Sequence, residues 1–230
     1  MMLSKYDTES FEFTIGARRL TLLRVKNLER YVDREALLRD DTEEPPYWAH
    51  LWTGATTLAK YIEERVDCKD LYVLDLGCGL GLTGIVAGIK GGQVTFADKE
   101  QDALAFATTN ARMNNCPPFE TRVLDFTQDE QGNHGKMDQR FSLILGAEIL
   151  YDRPTFPALV SFLTRHLAPN GLALFADARR TNTEEFYHQL QYAGFQWVQE
   201  EKKEREGTLP LVVDIVSISR NSDGDESYNP

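Results

Sequence analysis

Cysteine is scarce. Cys68, Cys78 and Cys116 are the whole complement of a chain of 230 residues, and an odd number without C-x-x-C spacing speaks against both a disulfide framework and a zinc knuckle. The four histidines, His50, His134, His166 and His188, are scattered, so no metal-ligand spacing emerges and no metal is expected. Long apolar runs are missing too. No stretch approaches the ~20 residues that cross a bilayer, and the start, Met1-Met-Leu-Ser-Lys-Tyr-Asp, lacks the basic flank and apolar core of an export signal. A cytoplasmic protein with no membrane partner is the expectation. Bases are in deficit, with 25 Lys and Arg against 36 Asp and Glu for a net charge of −11. That field repels nucleic-acid phosphates and anionic lipid and would steer a basic partner inward; equally, it is what keeps a surface soluble.

What the chain does have is an organising stretch, Val73-Leu-Asp-Leu-Gly-Cys-Gly-Leu-Gly81, followed by Leu82-Thr-Gly-Ile-Val-Ala-Gly-Ile89. An apolar run carrying one acid, Asp75, meets Gly77, Gly79 and Gly81, and a helix-compatible segment follows. This reads as strand, tight loop, helix. Glycines admit positive φ and close approach of a ligand to the backbone, and free N–H groups at a helix start favour an electronegative ligand edge. Small Cys78 fits such a loop as a buried thiol rather than a nucleophile. A dinucleotide fingerprint starting at Gly77 needs glycine at position 82, where Leu82 stands, and no Gly-Lys-Ser/Thr follows for a phosphate-cradling loop.

The order of patterns is βαβα. A hairpin is expected from Phe11–Ile15 and Leu20–Val25, after a frayed first ten residues, and a weak helix over Leu28–Leu38 leads to an acidic connector, Arg39–Glu44. A helix over Ala55–Val66 precedes the organising strand. Gln93–Asp98 is a second strand ending on Asp98, which stands 23 positions after Asp75; βαβ nucleotide folds put a carboxylate on ribose hydroxyls at that offset. A helix over Glu100–Asn114 precedes a third strand, Phe119–Phe126. Asp125 and Phe126 lie at its carboxyl end, suited to accept from an adenine amino group and to stack on the ring, or to act as a capping acid and an edge aromatic. After a polar loop, Gln128–Gln139, come a strand Phe141–Ala147, a helix Pro154–Ala168, a strand Leu172–Ala176 and a helix to Ala193. The last two strands, Phe195–Val198 and Leu209–Ser219, are joined by a charged turn, Glu200–Gly207. The fold class is therefore α/β: a doubly wound, mostly parallel seven-stranded sheet with a short N-terminal hairpin. Residues 1–44 would form the hairpin and connector, 45–220 the main domain and 221–230 a disordered acidic tail.

Several of these stretches resemble known ones. Asp-Leu-Gly-Cys-Gly-Leu-Gly is similar to the first motif of S-adenosylmethionine (AdoMet) methyltransferases with a seven-stranded sheet. Together with Pro46-Tyr-Trp-Ala-His-Leu-Trp-Thr-Gly54, Asp98, Leu124-Asp-Phe126 and Gly146-Ala-Glu-Ile-Leu-Tyr151, it resembles methyltransferase family 16. That group includes lysine methyltransferases acting on chaperones, calmodulin and the electron transfer flavoprotein beta subunit. Its Asp/Glu-x-x-Tyr signature stands here as Glu148-x-x-Tyr151; Thr53 and Phe126 occupy positions where proline and tryptophan are common. The resemblance implies AdoMet as cofactor, held around Trp52, Gly77, Gly79, Asp98, Phe126 and Ala147, with Asp75 supporting the methionine amino group or ordering the loop. Tyr47, Trp48, Arg179, Arg180 and the hairpin would frame substrate entry. Glu148 would orient an incoming lysine amine and Tyr151 would hydrogen-bond it or shape its channel; a dipole-favoured acid and a packed aromatic are the plainer roles.

Two other functions remain open on the sequence. A small-molecule N- or O-methyltransferase would use the same cofactor half with a small-molecule acceptor, and a non-catalytic AdoMet-binding interaction protein would bind without transfer. Base methylation is disfavoured by the acidic balance and by the absence of an Asn/Asp-Pro-Pro-Tyr/Phe motif after the fourth strand.

Overall fold

The computed structural model describes residues 2–31, 45–128 and 139–221. The alternating and continuous apolar runs become β1 (Thr8–Ile15), β2 (Arg18–Val25), β3 (Tyr72–Leu76), β4 (Gln93–Asp98), β5 (Glu120–Val123), β6 (Phe141–Ala147), β7 (Leu167–Asp177), β8 (Phe195–Glu206) and β9 (Leu209–Arg220). The segments of 3.6-residue periodicity become α1 (Thr53–Arg65), α2 (Leu82–Ile89), α3 (Gln101–Met113), α4 (Phe156–His166) and α5 (Glu184–Tyr192). β1 and β2 pair as a separate hairpin, and the main sheet has the order β5-β4-β3-β6-β7-β9-β8. β3 to β7 are parallel to their neighbours, whereas β9 runs antiparallel to β7 and β8.

Because parallel strands must be covered on both faces, β3 and β4 are buried through nearly their whole length. Leu58 and Ile62 of α1, Ile85 and Val86 of α2 and Leu104 and Ala107 of α3 cover one face, with Ile15, Leu20 and Leu22 of the hairpin. Phe156, Leu159 and Leu163 of α4 and Phe186 and Leu190 of α5 cover the other. The seven-stranded, mixed α/β architecture is the one the sequence order predicts. All the strand ends that carry Gly77, Asp98, Asp125, Glu148 and Asp177 then open on one edge of the sheet.

Four expectations need correction. The first residues are not frayed: a 3-10 turn spans Met2–Lys5 and β1 begins at Thr8, because Tyr6 packs edge-on against Tyr31, Trp48 and Phe106. The third strand covers only Glu120–Val123, so Asp125 and Phe126 lie in the turn beyond it. Helix α4 stops at His166 and β7 starts at Leu167, with a register shift between Phe141 and Leu143 that absorbs Pro169-Asn-Gly171. The charged stretch Glu200–Glu206 is strand, not turn, paired rung by rung with Leu209–Ile215. Every residue from Glu200 to Glu206 is charged, and the period of two shows only in the structure, where Glu200, Lys202, Glu204 and Glu206 are half-buried and Glu201, Lys203 and Arg205 exposed. The acidic connector, most of the Leu28–Leu38 helix beyond a 3-10 turn at Leu28–Tyr31, the body of the 128–139 loop and the tail lie outside the described residues.

The hairpin is tied to the sheet by two asparagines one helical turn apart. Asn110 of α3 accepts from Leu23 N at 2.6 Å and donates to Leu23 O and Leu80 O at 3.1 and 2.9 Å. Asn114 accepts from Thr21 N at 2.9 Å and donates to Thr21 O at 2.7 Å. Their amides imitate a neighbouring strand for β2. Asn110 is fully buried, so Asn110→Ala leaves buried backbone groups unpaired and is expected to cost about 2–3 kcal/mol of unfolding free energy, read from the midpoint of urea denaturation at unchanged slope.

Candidate active site

The glycine loop leaves β3 and turns into α2. Gly77, Gly79 and Gly81 all have positive φ, and at Gly79 the requirement is double: φ is +50°, and an added Cβ would stand 2.9 Å from Trp48 O. Asp75 lies beneath the loop. Its Oδ1 accepts from Thr83 Oγ1 at 2.6 Å and its Oδ2 from Gly84 N at 2.9 Å. It is 1% exposed, and burial pushes its carboxyl up to about 7 against those two hydrogen bonds. Asp75 thus ties the start of α2 to β3; of the two roles expected for it, this geometry matches the ordering of the loop. Cys78 is buried, its N–H donates to Ala97 O, and burial drives its thiol well above the ordinary value, the condition of an inert thiol.

Asp98 ends β4 beside the loop. Its Oδ2 accepts from Gly79 N and its Oδ1 from Glu100 N, both at 3.0 Å, and burial holds its carboxyl above the usual range. Asp125 turns on itself: Oδ1 accepts from Thr127 N and Oγ1 at 2.9 and 2.6 Å, and Oδ2 from Gln128 Nε2 at 2.9 Å. That is an Asx turn whose neighbour Phe126 is half-buried against Leu124 and the second core face.

These groups line one cavity of about 780 Å³, within the range of small-molecule and cofactor sites. Gly77, Cys78, Gly79, Asp98, Asp125 and Phe126 line it together with Trp52, Ala147, Glu148 and Tyr151. Gly81 and Asp75 are not on its wall. Of the twelve residues expected from the sequence to bind the cofactor or act in catalysis, ten line one cavity, as do Tyr47 and Trp48, whereas Asp75, Gly81, Arg179 and Arg180 do not. Lys5 and Tyr6 also line it, both carried by the segment expected to fray; Lys5 and Tyr6 meet Asp102 at 2.6 and 2.7 Å. The only signal they left in the sequence was an aromatic beside a base.

Glu148 follows β6 with φ of +57°, a left-handed backbone that a glutamate adopts only where its surroundings hold it. Its side chain is 7% exposed. Oε1 accepts from Gly54 N at the start of α1, 3.0 Å away, and Oε2 from Ala178 N at 3.3 Å, with Arg180 Nε at 3.7 Å. Burial pushes its carboxyl up; the Ala178 amide, Arg180 and the Gly54 amide oppose that. Beside it, Asp177 is raised to about 6 by burial and by the Glu148 charge. Trp52 sits at the same end: its indole N–H donates to Tyr47 O at 2.9 Å, and its ring meets His50 at 4.5 Å and Tyr47 at 6.2 Å between centroids. The Tyr151 ring lies tilted against Tyr47, 6.1 Å between centroids. Burial lowers the His50 imidazole pKa.

A second feature bounds this end. β9 pairs with β7 only as far as Asp214 opposite Asp177, so residues 209–213 and their partners on β8 run past the edge of the sheet. The overhang is fastened to α1 by Lys60–Glu204 at 3.1 Å and by Thr53 Oγ1 donating to Glu206 Oε1 at 3.5 Å. Arg179 forks onto Asp214 at 2.7 and 2.8 Å and also reaches Glu201. Glu206, expected in a turn, stands instead on this strand overhang, beside Thr53 and Arg180. Among the described residues no cluster of His, Cys, Asp and Glu could hold a metal, and no helix is long and apolar enough to cross a membrane.

Residues 33–193 match a family model described as lysine methyltransferase. The chain is 32% identical over 180 residues to the protein N-lysine methyltransferase METTL21A of Danio rerio, covering 77% of this chain and 74% of that protein. It is 35% identical over 147 residues to the EEF1A lysine methyltransferase 3 of Mus musculus, covering 62% and 61%. Among solved structures it superposes on a T. Thermophilus 16S rRNA methyltransferase in complex with AdoMet and guanosine, with a TM-score of 0.63, 15% identity, and 94% of this chain and 51% of that one covered; that likeness speaks to the fold.

Proposed function

The chain belongs to the lysine methyltransferase family, and on that premise we propose how its own residues divide the work of AdoMet-dependent methyl transfer to a protein lysine. The cofactor, when bound, supplies a methyl on a sulfonium centre. The glycine loop, Asp98, Asp125 and Phe126 fit its nucleoside half: an open backbone wall that a Cβ at Gly79 would fill, a carboxylate at a strand end for the ribose hydroxyls, and an aromatic edge. Ala147 is small where the loop and β6 meet, leaving room at the reacting end.

Transfer to an amine is an in-line displacement in which positive charge moves onto the nucleophile, so alignment and electrostatics carry the rate. Glu148 is the negative group at that end. Held by two backbone amides, it is fixed in place before the acceptor arrives and stabilises the ammonium that forms. Tyr151 and Tyr47 shape the approach. The observation that carries this reading is that Glu148 and Trp52 line the same cavity as the glycine loop and Asp98. The acceptor is a protein that presents a lysine from a basic surface, in keeping with the chain's net charge of −11 and against nucleic acid, and the cytoplasm is where we place the reaction.

The test is calorimetric titration with S-adenosylhomocysteine, followed by labelled transfer to proteins of a cell extract. Asp98→Ala is expected to weaken S-adenosylhomocysteine about 30-fold, the loss of hydrogen bonds to a charged acceptor. Binding unchanged in the variant would remove Asp98 from the cofactor site, and label appearing only in small molecules would replace the protein acceptor.

A further inference from the structure

Arg180 is held by three groups from three distant segments. Its guanidinium carbon lies 4.9 Å from the centre of the Trp52 ring at the start of α1. Its Nη2 donates to Glu206 Oε1, at the tip of β8, at 3.0 Å, and its Nε stands 3.7 Å from Glu148 Oε2. An aromatic face flanked by two carboxylates is the chemistry that recognises an alkylammonium as readily as a guanidinium. Two of the three, Trp52 and Glu148, line the cavity.

The contrast with Arg179 is informative. Arg179 grips Asp214, itself buried, through two nitrogens and Glu201 besides, and its φ of +56° is held by that grip and by its N–H donating to Asp177 Oδ1. It is a structural clamp. Arg180 has one close ion pair, to a carboxylate 41% exposed, while its own side chain is 35% exposed; half-exposed pairs and exposed cation–π contacts are each weak and are exchanged easily. Its other carboxylate neighbour, the buried Glu148, stands 3.7 Å away, outside hydrogen-bond reach, so Arg180 is held less tightly than Arg179.

We propose that Trp52, Glu148 and Glu206 form the subsite for the acceptor's lysine side chain, and that Arg180 occupies it until that side chain arrives. The inference rests on the methyl-transfer reading and adds the means of recognition. Lysine exchanges for Arg180 as cation for cation, so the subsite's two carboxylates do not stand uncompensated during binding; the bound ammonium then releases one proton to solvent, and the neutral amine takes the methyl as its bond to the sulfonium sulfur breaks. Displaced Arg180 remains on the same rim, beside the overhanging β8–β9 strands. The product is again a cation and keeps the aromatic contact, which methyl groups on nitrogen strengthen.

The test uses n-butylammonium chloride as the probe, n-butanol as its neutral counterpart, and protein saturated with S-adenosylhomocysteine at constant ionic strength. The Trp52 indole N–H resonance, identified by its loss in Trp52→Phe, reports the site. Arg180→Ala, and Arg180→Gln as a neutral variant that keeps contact with the ring, are expected to bind n-butylammonium roughly fivefold more tightly than the wild type. Adding Glu206→Gln should abolish that gain, and n-butanol should move the resonance in none of them. Equal or weaker n-butylammonium binding in both Arg180 variants, or an equal response to n-butanol, overturns the proposal. Failure of the wild type to bind S-adenosylhomocysteine would instead sink the cofactor reading, so the two failures are told apart.

Discussion

Glu148→Gln lowers turnover by about 10²–10³-fold, the cost of removing one fixed electrostatic partner of the reacting centre, while S-adenosylhomocysteine affinity stays within about threefold because the cofactor's nucleoside half is held elsewhere. The same substitution is expected to lose about 1–3 kcal/mol of stability, for a reason the geometry makes plain. Both carboxylate oxygens face backbone donors, Gly54 N at 3.0 Å and Ala178 N at 3.3 Å. An amide offers one acceptor and one donor, so either orientation sets an NH₂ against an N–H. Turnover must therefore be measured at a temperature well below the variant's own unfolding midpoint. Glu148→Asp keeps the charge but shortens the reach and should recover part of the rate. Full turnover in folded Glu148→Gln would reduce Glu148 to a bracket joining β6, α1 and the end of β7.

Ligand-free protein is expected to become more stable, not less, as pH is lowered from 8 to 5.5. Asp75 is the main cause. Its carboxyl is raised by burial from 3.8 to about 7, so between those values the folded state holds a proton that the unfolded chain has released. Stability from this group is full below pH ~4, declines as pH rises, and is gone above ~7, a total of about 4 kcal/mol at ~1.4 kcal/mol per pH unit. Over pH 8 to 5.5 the gain is about 2 kcal/mol, or a rise in Tm of ~4–8 °C for a chain of this size. Asp177, raised to about 6, adds in the same direction near the acid end. His50, lowered by burial, acts oppositely below ~6.5, where the unfolded chain takes up a proton that the folded ring resists. Asp75→Asn keeps an acceptor for Gly84 N–H and should flatten the profile while being at least as stable as the wild type at pH 8. A loss of more than about 2 kcal/mol at pH 8 in that variant, with a flat wild-type profile, would show the Asp75 carboxylate to be ionised and stabilising.

The strands and most of the residues that line the cavity were legible because their signals are local. Asp75 and Asp98 lie in strands, and the three glycines and Phe126 follow strands, whose pattern is visible within a dozen residues, and the fold places such strand ends together. What remained hidden is non-local. Nothing near Glu148 in sequence says that its oxygens will meet amides of Gly54 and Ala178, and Glu206 was given to a turn because charged residues in alternation read as solvated. Its partner across the hairpin, Leu209, and the helix beneath, with Lys60, are what make it strand. The N-terminal segment failed for a similar reason: Tyr6 is ordered by Tyr31, Trp48 and Phe106, partners that are 25 to 100 residues away.

The overhang of β8 and β9 also sets an order of events during synthesis. On the roles proposed above, the residues of the nucleoside half lie before position 130 and Glu148, Tyr151 and Arg180 by 180, whereas Glu206 and the inner strand β9 come later in the chain. Domains fold from the N-terminal side as they emerge. A nascent chain can thus assemble the wall that grips the cofactor while the acceptor's subsite still lacks its third side.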